Sequence, residues 1–416
     1  MKRNLLAAAI AAALLPLSAG ATTGYFSHGY GIKSKGMGGV GIALPQDSLA
    51  AATNPAGMAW VGNRVDGGLD WFAPKRSAEI VGNGAGASGN YDANGRKSFL
   101  VPEFGFNRMV STNLALGVSV FGNGGMNTYY NNNPFRAFGG SNGPGGVDLM
   151  QLFVSPTAAY KLGNHSFGAS LNIAYQQFAA QGLEGFKASS ASPNEVTNRG
   201  RDSSSGLGVR LGWTGQVTPN LTLGATYQTK TKMSKLDKYK GLFAEQGGFD
   251  IPENYGVGVA FKATPALTIA ADIERINYGD VRSVGNTVNC LFAGACQLGN
   301  SNGAGFGWRN STVYKIGLAY EVSPTLTLRT GYATMRQPIP ASQTFFNILA
   351  PGVVEDHLTL GATWQMSKQG ELSFSYMHAF EKKVNGAGSI AAGFGGGEAN
   401  LRMKQTALGV GFGWKY

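Results

Sequence analysis

Apolar residues recur at every second position from Val65 to the C-terminus, and turn-forming residues separate the runs. In the last run the large side chains share one face: Leu408, Val410, Phe412, Trp414 and Tyr416. A period of two puts alternate side chains on opposite faces of a strand, and runs of about ten such residues are typical of transmembrane β-strands. The sequence therefore predicts an all-β chain. Its strands should form a wall that has a different solvent on each side.

The connections between the runs alternate between short and long. Three short ones repeat one proline-containing motif, at Val217–Leu221, Ala263–Leu267 and Val322–Leu326. Long polar insertions lie near residues 81–96, 127–146, 181–205, 233–251, 279–309, 336–354 and 382–399. Bacterial outer-membrane barrels have short periplasmic turns and longer external loops. These seven insertions predict a 14-stranded antiparallel transmembrane β-barrel over residues 64–416, crossing the outer membrane many times.

Charged residues alternate with apolar residues on the predicted strands. Asp272, Glu274 and Arg329 occupy the face opposite the large apolar side chains. Arg or Lys at the middle of a bilayer costs ~2–4 kcal/mol. We therefore expect these charges to point into the lumen.

The first residues have the pattern of a secretory signal peptide. Lys2 and Arg3 precede an apolar run, Leu5–Leu17, and the small residues 19–21 follow. That run is shorter than the ~20 residues that a helical membrane span needs. We expect residues 1–21 to be removed on export. Export also permits a disulfide between Cys290 and Cys296, and the sequence leaves open whether it forms.

The segment Thr22–Asn63 lacks the alternation and is rich in glycine. Because it cannot form wall strands, we expect it to lie inside the barrel as a hatch, or plug. Its Gly36-x-Gly38-x-x-Gly41 matches a dinucleotide fingerprint, but no strand precedes it and no βαβ context follows. The sequence also contains no nucleophile elbow and no cluster of histidines. We expect no enzyme activity, no cofactor and no metal site.

The net charge of +11 suggests a partner that carries phosphate. An exported protein rarely meets nucleic acid, so we expect a membrane surface. Lysines crowd the insertion around residues 230–240, beside Leu236, Tyr239, Leu242 and Phe243. Their spacing predicts one apolar face of a short helix. With Lys238, this face is a candidate first binding site for a ligand with an apolar tail and an anionic head. The lysines could equally contact phosphates of outer-membrane lipid, including lipopolysaccharide.

The N-terminal motifs resemble those of a known family. Gly36-Met37-Gly38-Gly39, Gln46-Asp47 and Asn54-Pro55-Ala56 are similar to the hatch of the FadL/TodX family of outer-membrane transporters for long-chain fatty acids and other hydrophobic compounds. The loop from Lys238 to Pro252 is also similar to one in that family. The resemblance implies a plugged barrel and passive uptake. A ligand lands among the outer loops, moves to a site beside the hatch, and leaves sideways through a gap at a kinked third strand.

That resemblance assigns candidate residues in this chain. The third strand is predicted from Leu114 to about Tyr129, with the kink at Gly122, Gly124 and Gly125. We expect Asn54, Pro55 and Ala56 to brace the hatch near this kink. The resemblance also makes Tyr25 and Phe26 candidates for contacting ligand. The terminal aromatic Tyr416 is similar to the signal that the barrel assembly machinery reads.

Several functions remain compatible with the sequence. Long-chain fatty acids are the expected ligands, and aromatic hydrocarbons taken up by the same route are the alternative. A general porin for polar solutes would conduct ions steadily, whereas a plugged barrel would not. A surface receptor or adhesin would bind a partner through its loops. The sequence leaves open the substrate, the oligomeric state and any motion of the hatch.

Overall fold

A computed structural model describes residues 23–416. The predicted signal peptide, residues 1–21, lies outside the described residues. Among the residues that are described, no helix has the length and apolar character needed to cross a membrane.

The described chain is built mainly from antiparallel strands. They are β1 Arg64–Val81, β2 Gly89–Asp92, β3 Phe99–Met109, β4 Leu114–Asn127, β5 Gly146–Leu162, β6 His165–Gln181, β7 Asp202–Thr218, β8 Leu221–Gln228, β9 Lys232–Met233, β10 Asn254–Lys262, β11 Leu267–Ile276, β12 Ser311–Ser323, β13 Leu326–Met335, β14 Asp356–Gln365, β15 Gly370–Val384 and β16 Glu398–Lys415. The short strands β2 and β9 lie beside the wall. The other 14 form one sheet, which β16 closes by pairing with β1. The predicted 14-stranded antiparallel barrel is confirmed.

The helices are all short. The α-helices are Ile32–Lys35, Ala244–Gly247, Arg282–Gly285 and Asn289–Phe292. The 3₁₀ helices are Ala50–Ala52, Pro55–Ala59, Arg136–Phe138, Glu184–Ser189, Pro193–Glu195, Asp237–Tyr239, Tyr278–Asp280, Ala341–Gln343, Phe346–Ile348 and Ala392–Phe394. The helix predicted through Leu236–Phe243 was wrong, because only Asp237–Tyr239 is helical there. Glu245 and Gln246 adopt positive φ inside the segment Ala244–Gly247, so this segment is not a regular helix either.

The strand alternation separates a lipid face from a lumen face. On β16, Leu408 and Phe412 are 49% and 45% exposed, whereas Ala407 is 2% exposed. On β11, Ile273 points outward and is 48% exposed, while Asp272 is buried at 3%. The charged Asp272 therefore faces the lumen, as a hydrocarbon exterior requires at this depth.

Residues 23–63, here called the N-terminal segment, contact wall strands around the whole ring. Gly38 N–H donates to Thr359 Oγ1 on β14 at 2.7 Å, and Gly41 N–H donates to Asp272 Oδ2 on β11 at 2.7 Å. Asn54 Nδ2 donates to the Trp213 carbonyl on β7 at 3.0 Å. Contacts with such widely separated strands place the segment within the ring.

Buried ion pairs fix this segment to the strands where the barrel closes. Lys35 Nζ lies 3.3 Å from Asp70 Oδ2 on β1 and 3.2 Å from Glu103 Oε2 on β3. Lys33 pairs with Glu371 on β15. Burial lowers the pKa of Lys35, but Asp70 and Glu103 outweigh burial and raise the pKa above its ordinary value. Lys35 is therefore charged at neutral pH, and its single positive charge is shared between two buried carboxylates.

Replacing Lys35 with Met should release the N-terminal segment. Removing one partner of a buried ion pair costs about 3–5 kcal/mol, because the remaining charges stay buried and unpaired. We expect K35M to raise ion conductance in planar bilayers and to expose residues 23–63 to protease. K383M is the control, since Lys383 forms an exposed pair with Glu79. Equal conductance for K35M and wild type would contradict this role.

Candidate functional site

The wall contains a gap between β3 and β4. The two strands pair from Met109 and Ala115 only as far as Phe104 and Val120. Beyond that rung, β4 turns away and is paired with β5 alone. Farther along, the strands' extensions meet again at a bridge between Asn94 and Tyr129. We call the stretch in which residues 99–103 of β3 and residues 121–127 of β4 are not paired the window.

A β-bulge shapes the edge of the window on β4. The register with β5 shifts between Gly122 and Gly124, so that Asn123 is the extra residue. Bulges bend the strand that contains them and often occur beside functional sites. This bulge lies within the glycine-rich stretch that was predicted to kink. The strand itself ends at Asn127, two residues before the predicted end.

The start of the N-terminal segment occupies the inner side of the window. Gly125 N–H donates to the Tyr25 carbonyl at 2.9 Å, and Ser27 N–H donates to the Asn123 carbonyl at 3.0 Å. Phe26 forms an isolated β-bridge with Gly124. The segment thus supplies β4 with part of the backbone pairing that β3 no longer provides.

An aromatic cluster surrounds Tyr25, which is fully buried. Its ring centroid lies 5.2 Å from that of Tyr278, 5.8 Å from that of Trp308 and 6.1 Å from that of Phe249. Burial is the main cause that raises the pKa of Tyr25 well above its ordinary value, and Asp250 raises it further. The phenol is therefore neutral at physiological pH, as an apolar ligand site requires.

A cavity beside this cluster, the inner cavity, adjoins the window. Its lining comes from β1, β3, β4, β16 and the loops: Gly24, Tyr25, Phe72, Pro74, Arg76, Phe99, Gly125, Met126, Asn127, Trp308, Ala350, Pro351, Gly352 and Met403. Its free volume is about 30 Å³. Pockets that hold small molecules usually measure ~300–1,000 Å³. Side chains must therefore move before a ligand of that size fits.

Arg76 is a buried cation in the lining of the inner cavity. Arg76 is only 3% exposed. Its guanidinium group donates hydrogen bonds to the backbone carbonyls of Ala93, Arg96 and Asn127. Within residues 23–416 no carboxylate pairs with it, and its Nε has no acceptor. Asp92 attracts Arg76 electrostatically but forms no ion pair with it, and a buried charge without a close counter-charge is unfavourable. Arg76 is thus suited to meet an anionic group.

A second apolar cavity, the outer cavity, lies among the long loops. It is lined by Phe135, Val147, Phe178, Leu183, Phe186, Leu242, Phe243, Ser283, Leu298, Ala304, Gly305, Phe306, Phe346 and Leu349. The Phe243 ring contacts Phe178 and Phe249, with centroids 4.6 Å and 4.9 Å apart. Because Phe249 also contacts Tyr25, one aromatic row connects the two cavities.

The predicted loop residues have different surroundings. Leu242 and Phe243 line the outer cavity, whereas Leu236 and Tyr239 are fully buried structural residues. The Tyr239 hydroxyl donates to the Gly200 carbonyl at 2.6 Å. Lys238 is exposed and its Nζ donates to the Arg201 carbonyl at 2.7 Å, outside the outer cavity. Only part of the predicted binding face therefore lines a cavity.

Asn54, Pro55 and Ala56 lie at a different wall from the one expected. Asn54 caps the helix Pro55–Ala59 through the Ala56 N–H at 3.1 Å. Ser166 Oγ on β6 donates to the Ala56 carbonyl at 3.0 Å. The motif packs mainly on β5, β6 and β7, near the short turns. The expected position beside the kink is corrected, because Tyr25, Phe26 and Ser27 occupy that place.

Cys290 and Cys296 form a disulfide, with their Cα atoms 5.3 Å apart. The bond lies in the long loop between β11 and β12. The neighbouring Phe292 ring contacts Phe345 and Phe394, with centroids 6.1 Å and 5.7 Å away. The disulfide thus constrains a loop that covers the aromatic core of the outer end.

Sequence reasoning missed Arg76, Phe249, Tyr278 and Trp308 as residues of the site. The sequence did contain a signal for Arg76, because this charged residue occupies an inward position of β1, two residues after Pro74 and four after Phe72. The other three are loop residues or follow a strand end. Their proximity to Tyr25 depends on how the loops fold over the lumen, which no local pattern encodes.

A closed antiparallel barrel with an apolar exterior, a lumen segment and apolar cavities defines an outer-membrane transport barrel. The family model described as outer membrane protein transport protein (OMPP1/FadL/TodX) matches residues 18–416. The chain belongs to this family. It is an outer-membrane transporter of hydrophobic compounds, as the sequence predicted. No protein of curated function matches it in sequence.

Solved structures with the same fold include several transporters. The toluene transporter TodX of Pseudomonas putida has 18% sequence identity and a TM-score of 0.72, covering 94% of this chain and 99% of its own. A Pseudomonas aeruginosa FadL homologue has 16% identity and a TM-score of 0.70, with coverage of 94% and 99%. The Ralstonia pickettii toluene transporter TbuX has 19% identity and a TM-score of 0.64, with coverage of 94% and 99%. At sequence identities of 16–19%, these similarities show a shared fold and nothing more specific.

Replacing Gly124 with Ala should detach the start of the N-terminal segment from the window. A Cβ atom at Gly124 would lie 1.8 Å from the Tyr25 carbonyl oxygen. Two backbone hydrogen bonds would be lost, worth about 2 kcal/mol together, or roughly thirtyfold in opening. We expect amide hydrogen exchange at Ser27 and Gly125 to accelerate by that factor.

Gly122 provides the matched control. A Cβ atom there meets only the Val101 side chain closely, at 3.0 Å, and side chains adjust more easily than backbone. G122A should leave both amides protected. Unchanged exchange in G124A would mean that the pairing of Tyr25 with β4 does not hold the segment.

Proposed function

We propose that the protein takes up long-chain fatty acids passively, through capture in the outer cavity, transfer to the inner cavity and lateral exit through the window. The N-terminal segment acts as a hatch that blocks the axial route. A hydrophobic ligand gains little from an aqueous channel, and a side exit returns it to an apolar phase. Membership of a family of hydrophobic-compound transporters supports the general route.

The observation that carries the choice of substrate is Arg76. It is a buried cation in an otherwise apolar cavity, with carbonyl partners but no carboxylate partner among the described residues. A fatty acid combines an apolar tail, which suits the phenylalanine lining, with a carboxylate, which suits the guanidinium. Hydrogen bonds between charged groups are stronger than neutral ones.

The geometry of the window supports lateral exit. Its edges are the inward residues of β3, such as Val101, and the glycines of the bulge on β4. The inner cavity adjoins it through Phe99 and Gly125. Leu100 points outward beside it and is 54% exposed. A ligand leaving there would enter the hydrocarbon layer directly.

Uptake of aromatic hydrocarbons is the second candidate. Two of the similar structures are named as toluene transporters. Six phenylalanines line the outer cavity, and aromatic pairs prefer edge-to-face contacts of the kind seen between Phe243 and Phe249. A neutral ring would leave Arg76 without an ion-pair partner, which distinguishes the two candidates.

Replacing Arg76 with Met should separate these two functions. Hydrogen bonds to charged groups contribute about 1.5–3 kcal/mol, so we expect fatty-acid binding to weaken roughly tenfold to a hundredfold. Cells that produce R76M should take up labelled oleate more slowly and labelled toluene at an unchanged rate. R76K keeps the charge and should retain most oleate uptake. Equal losses of oleate and toluene uptake would show that Arg76 only supports the wall.

A cross-link across the window should stop lateral exit. Val101 and Gly122 face each other across it, because a Cβ atom on Gly122 would lie 3.0 Å from Val101 Cγ1. We expect V101C with G122C, in a chain carrying C290S and C296S, to lose oleate uptake on oxidation and to regain it on reduction. Uptake by cells with radiolabelled oleate measures both states.

The matched control places the cross-link below the window. Phe104 and Val120 are register partners on the paired part of β3 and β4. F104C with V120C should form its disulfide without slowing uptake. Full uptake through oxidised V101C with G122C would rule out the lateral route.

A further inference from the structure

A cluster of cations lies on the outward face of the strands that close the barrel. It consists of Lys75 on β1, Arg402 and Lys404 on β16, and Lys383 on β15; we call it the cationic patch. Lys75 is exposed, and the side chains of Arg402, Lys404 and Lys383 are 52%, 44% and 41% exposed. These residues play no part in the lumen or the window.

The register brings the patch together. Lys75 lies directly opposite Lys404, and Arg402 lies opposite Lys383 on the other neighbouring strand. Directly opposed like charges destabilise a sheet. No carboxylate among residues 23–416 pairs with Lys75, so its ammonium group has no counter-ion within the described chain.

Carboxylates near the patch neutralise it only in part. Glu381 lies 3.7 Å from Arg402 and 3.9 Å from Lys404, at the long end of ion-pair distances. Glu79 pairs with Lys383 at 3.3 Å. Asp92, opposite Ser77, accepts hydrogen bonds from Asn94. One loosely shared carboxylate for two cations leaves donor positions open to a phosphate, which accepts several charge-assisted hydrogen bonds.

The height of the patch on the wall fits the lipid headgroup layer. The outward-facing residue pairs below it on β1 and β16 are apolar, from Val65 opposite Trp414 up to Trp71 opposite Leu408. Aromatic residues such as Trp71 mark the membrane interface in barrels of this class. Lys75 and Lys404 form the second outward-facing pair beyond Trp71 and Leu408, toward the long loops, which is the outer-leaflet side.

An apolar surface groove lies below the patch on the same outward face, with Thr406 between Lys404 and Leu408. It is lined by Leu360, Gly361, Ala362, Phe374, Ser375, Tyr376, Leu408, Gly409 and Val410, and its volume is about 520 Å³. Leu408 and Val410 are on the same face of β16 as Lys404 and Arg402. Ala362, a small residue opposite Phe374, contributes to the hollow. The groove is thus placed for an acyl chain whose headgroup sits on the patch.

We propose that the cationic patch and the groove below it form a binding site for a phosphorylated glycolipid of the outer leaflet. The phosphates bind Lys75, Lys404 and Arg402, and one acyl chain lies in the groove beside Ala362. Two independent features support this ligand class, since the patch matches the headgroup charge and the groove matches the tail. The site is separate from the transport route.

Native mass spectrometry of the delipidated full-length protein in detergent tests the site. The probes are bis-phosphorylated lipid A, its monophosphorylated form and phosphatidylglycerol. We expect one bis-phosphorylated lipid A per chain, retained at least tenfold more tightly than phosphatidylglycerol, with the monophosphorylated form between them. Equal retention of lipid A and phosphatidylglycerol would overturn the assignment to a glycolipid.

Variants test whether lipid A binds at the cationic patch and the groove. The triple variant K75Q, R402Q and K404Q should bind lipid A at least tenfold more weakly, and A362W, which fills the groove, should weaken it several-fold. The control variant replaces three exposed lysines at the short-turn end of the barrel: K262Q, K368Q and K415Q. This variant should bind lipid A normally. The charge-preserving variant K75R, R402K and K404R should also bind normally. Normal binding by the triple glutamine variant, or lost binding by the charge-preserving one, would overturn the proposal.

Discussion

The structure depends on how the backbone groups at the window are satisfied. Hydrocarbon offers no hydrogen bonds, so a membrane wall must pair its own N–H and C=O groups. Above the rung of Phe104 and Val120, β3 and β4 do not pair. Tyr25 and Ser27 supply bonds to Gly125 and Asn123 instead. The N-terminal segment therefore completes the wall at the one place where β4 leaves its neighbour among the described strands.

The N-terminal segment can take the place of β3 as a pairing partner of β4 only if the segment is held firmly in place. Lys33 and Lys35 anchor it to β15, β1 and β3. On the other side, a chain of side-chain amides supports the bulge. Asn123 donates to Gln151 at 3.0 Å, and Gln151 donates to Gln176 at 3.1 Å. Satisfied buried networks of this kind rigidify a structure.

The sequence predicted the barrel well, because a period of two and the length of each connection are local properties of the chain. It also located the bulge, since only glycine permits the approach of Tyr25 to Gly124. It failed at Asn54, whose partner Trp213 lies 159 residues away. It missed Arg76, because the absence of an ion pair between Arg76 and any carboxylate of residues 23–416 is a property of the assembled lumen. The helix predicted near Tyr239 did not form, because the burial of this side chain against β6 determines the local backbone.

In the proposed mechanism, Tyr25 connects ligand binding to the state of the wall. Its ring packs on the aromatic cluster that lines the inner cavity, while its carbonyl accepts from Gly125 at the window. Because the inner cavity has only about 30 Å³ of free volume, a ligand that enters must displace part of its lining. Under that proposal, displacing Tyr25 removes the hydrogen bond that Gly125 N–H donates to its carbonyl and so weakens the closure of the window. Linkage is reciprocal, so whatever loosens the window must also favour the ligand-bound arrangement to the same extent.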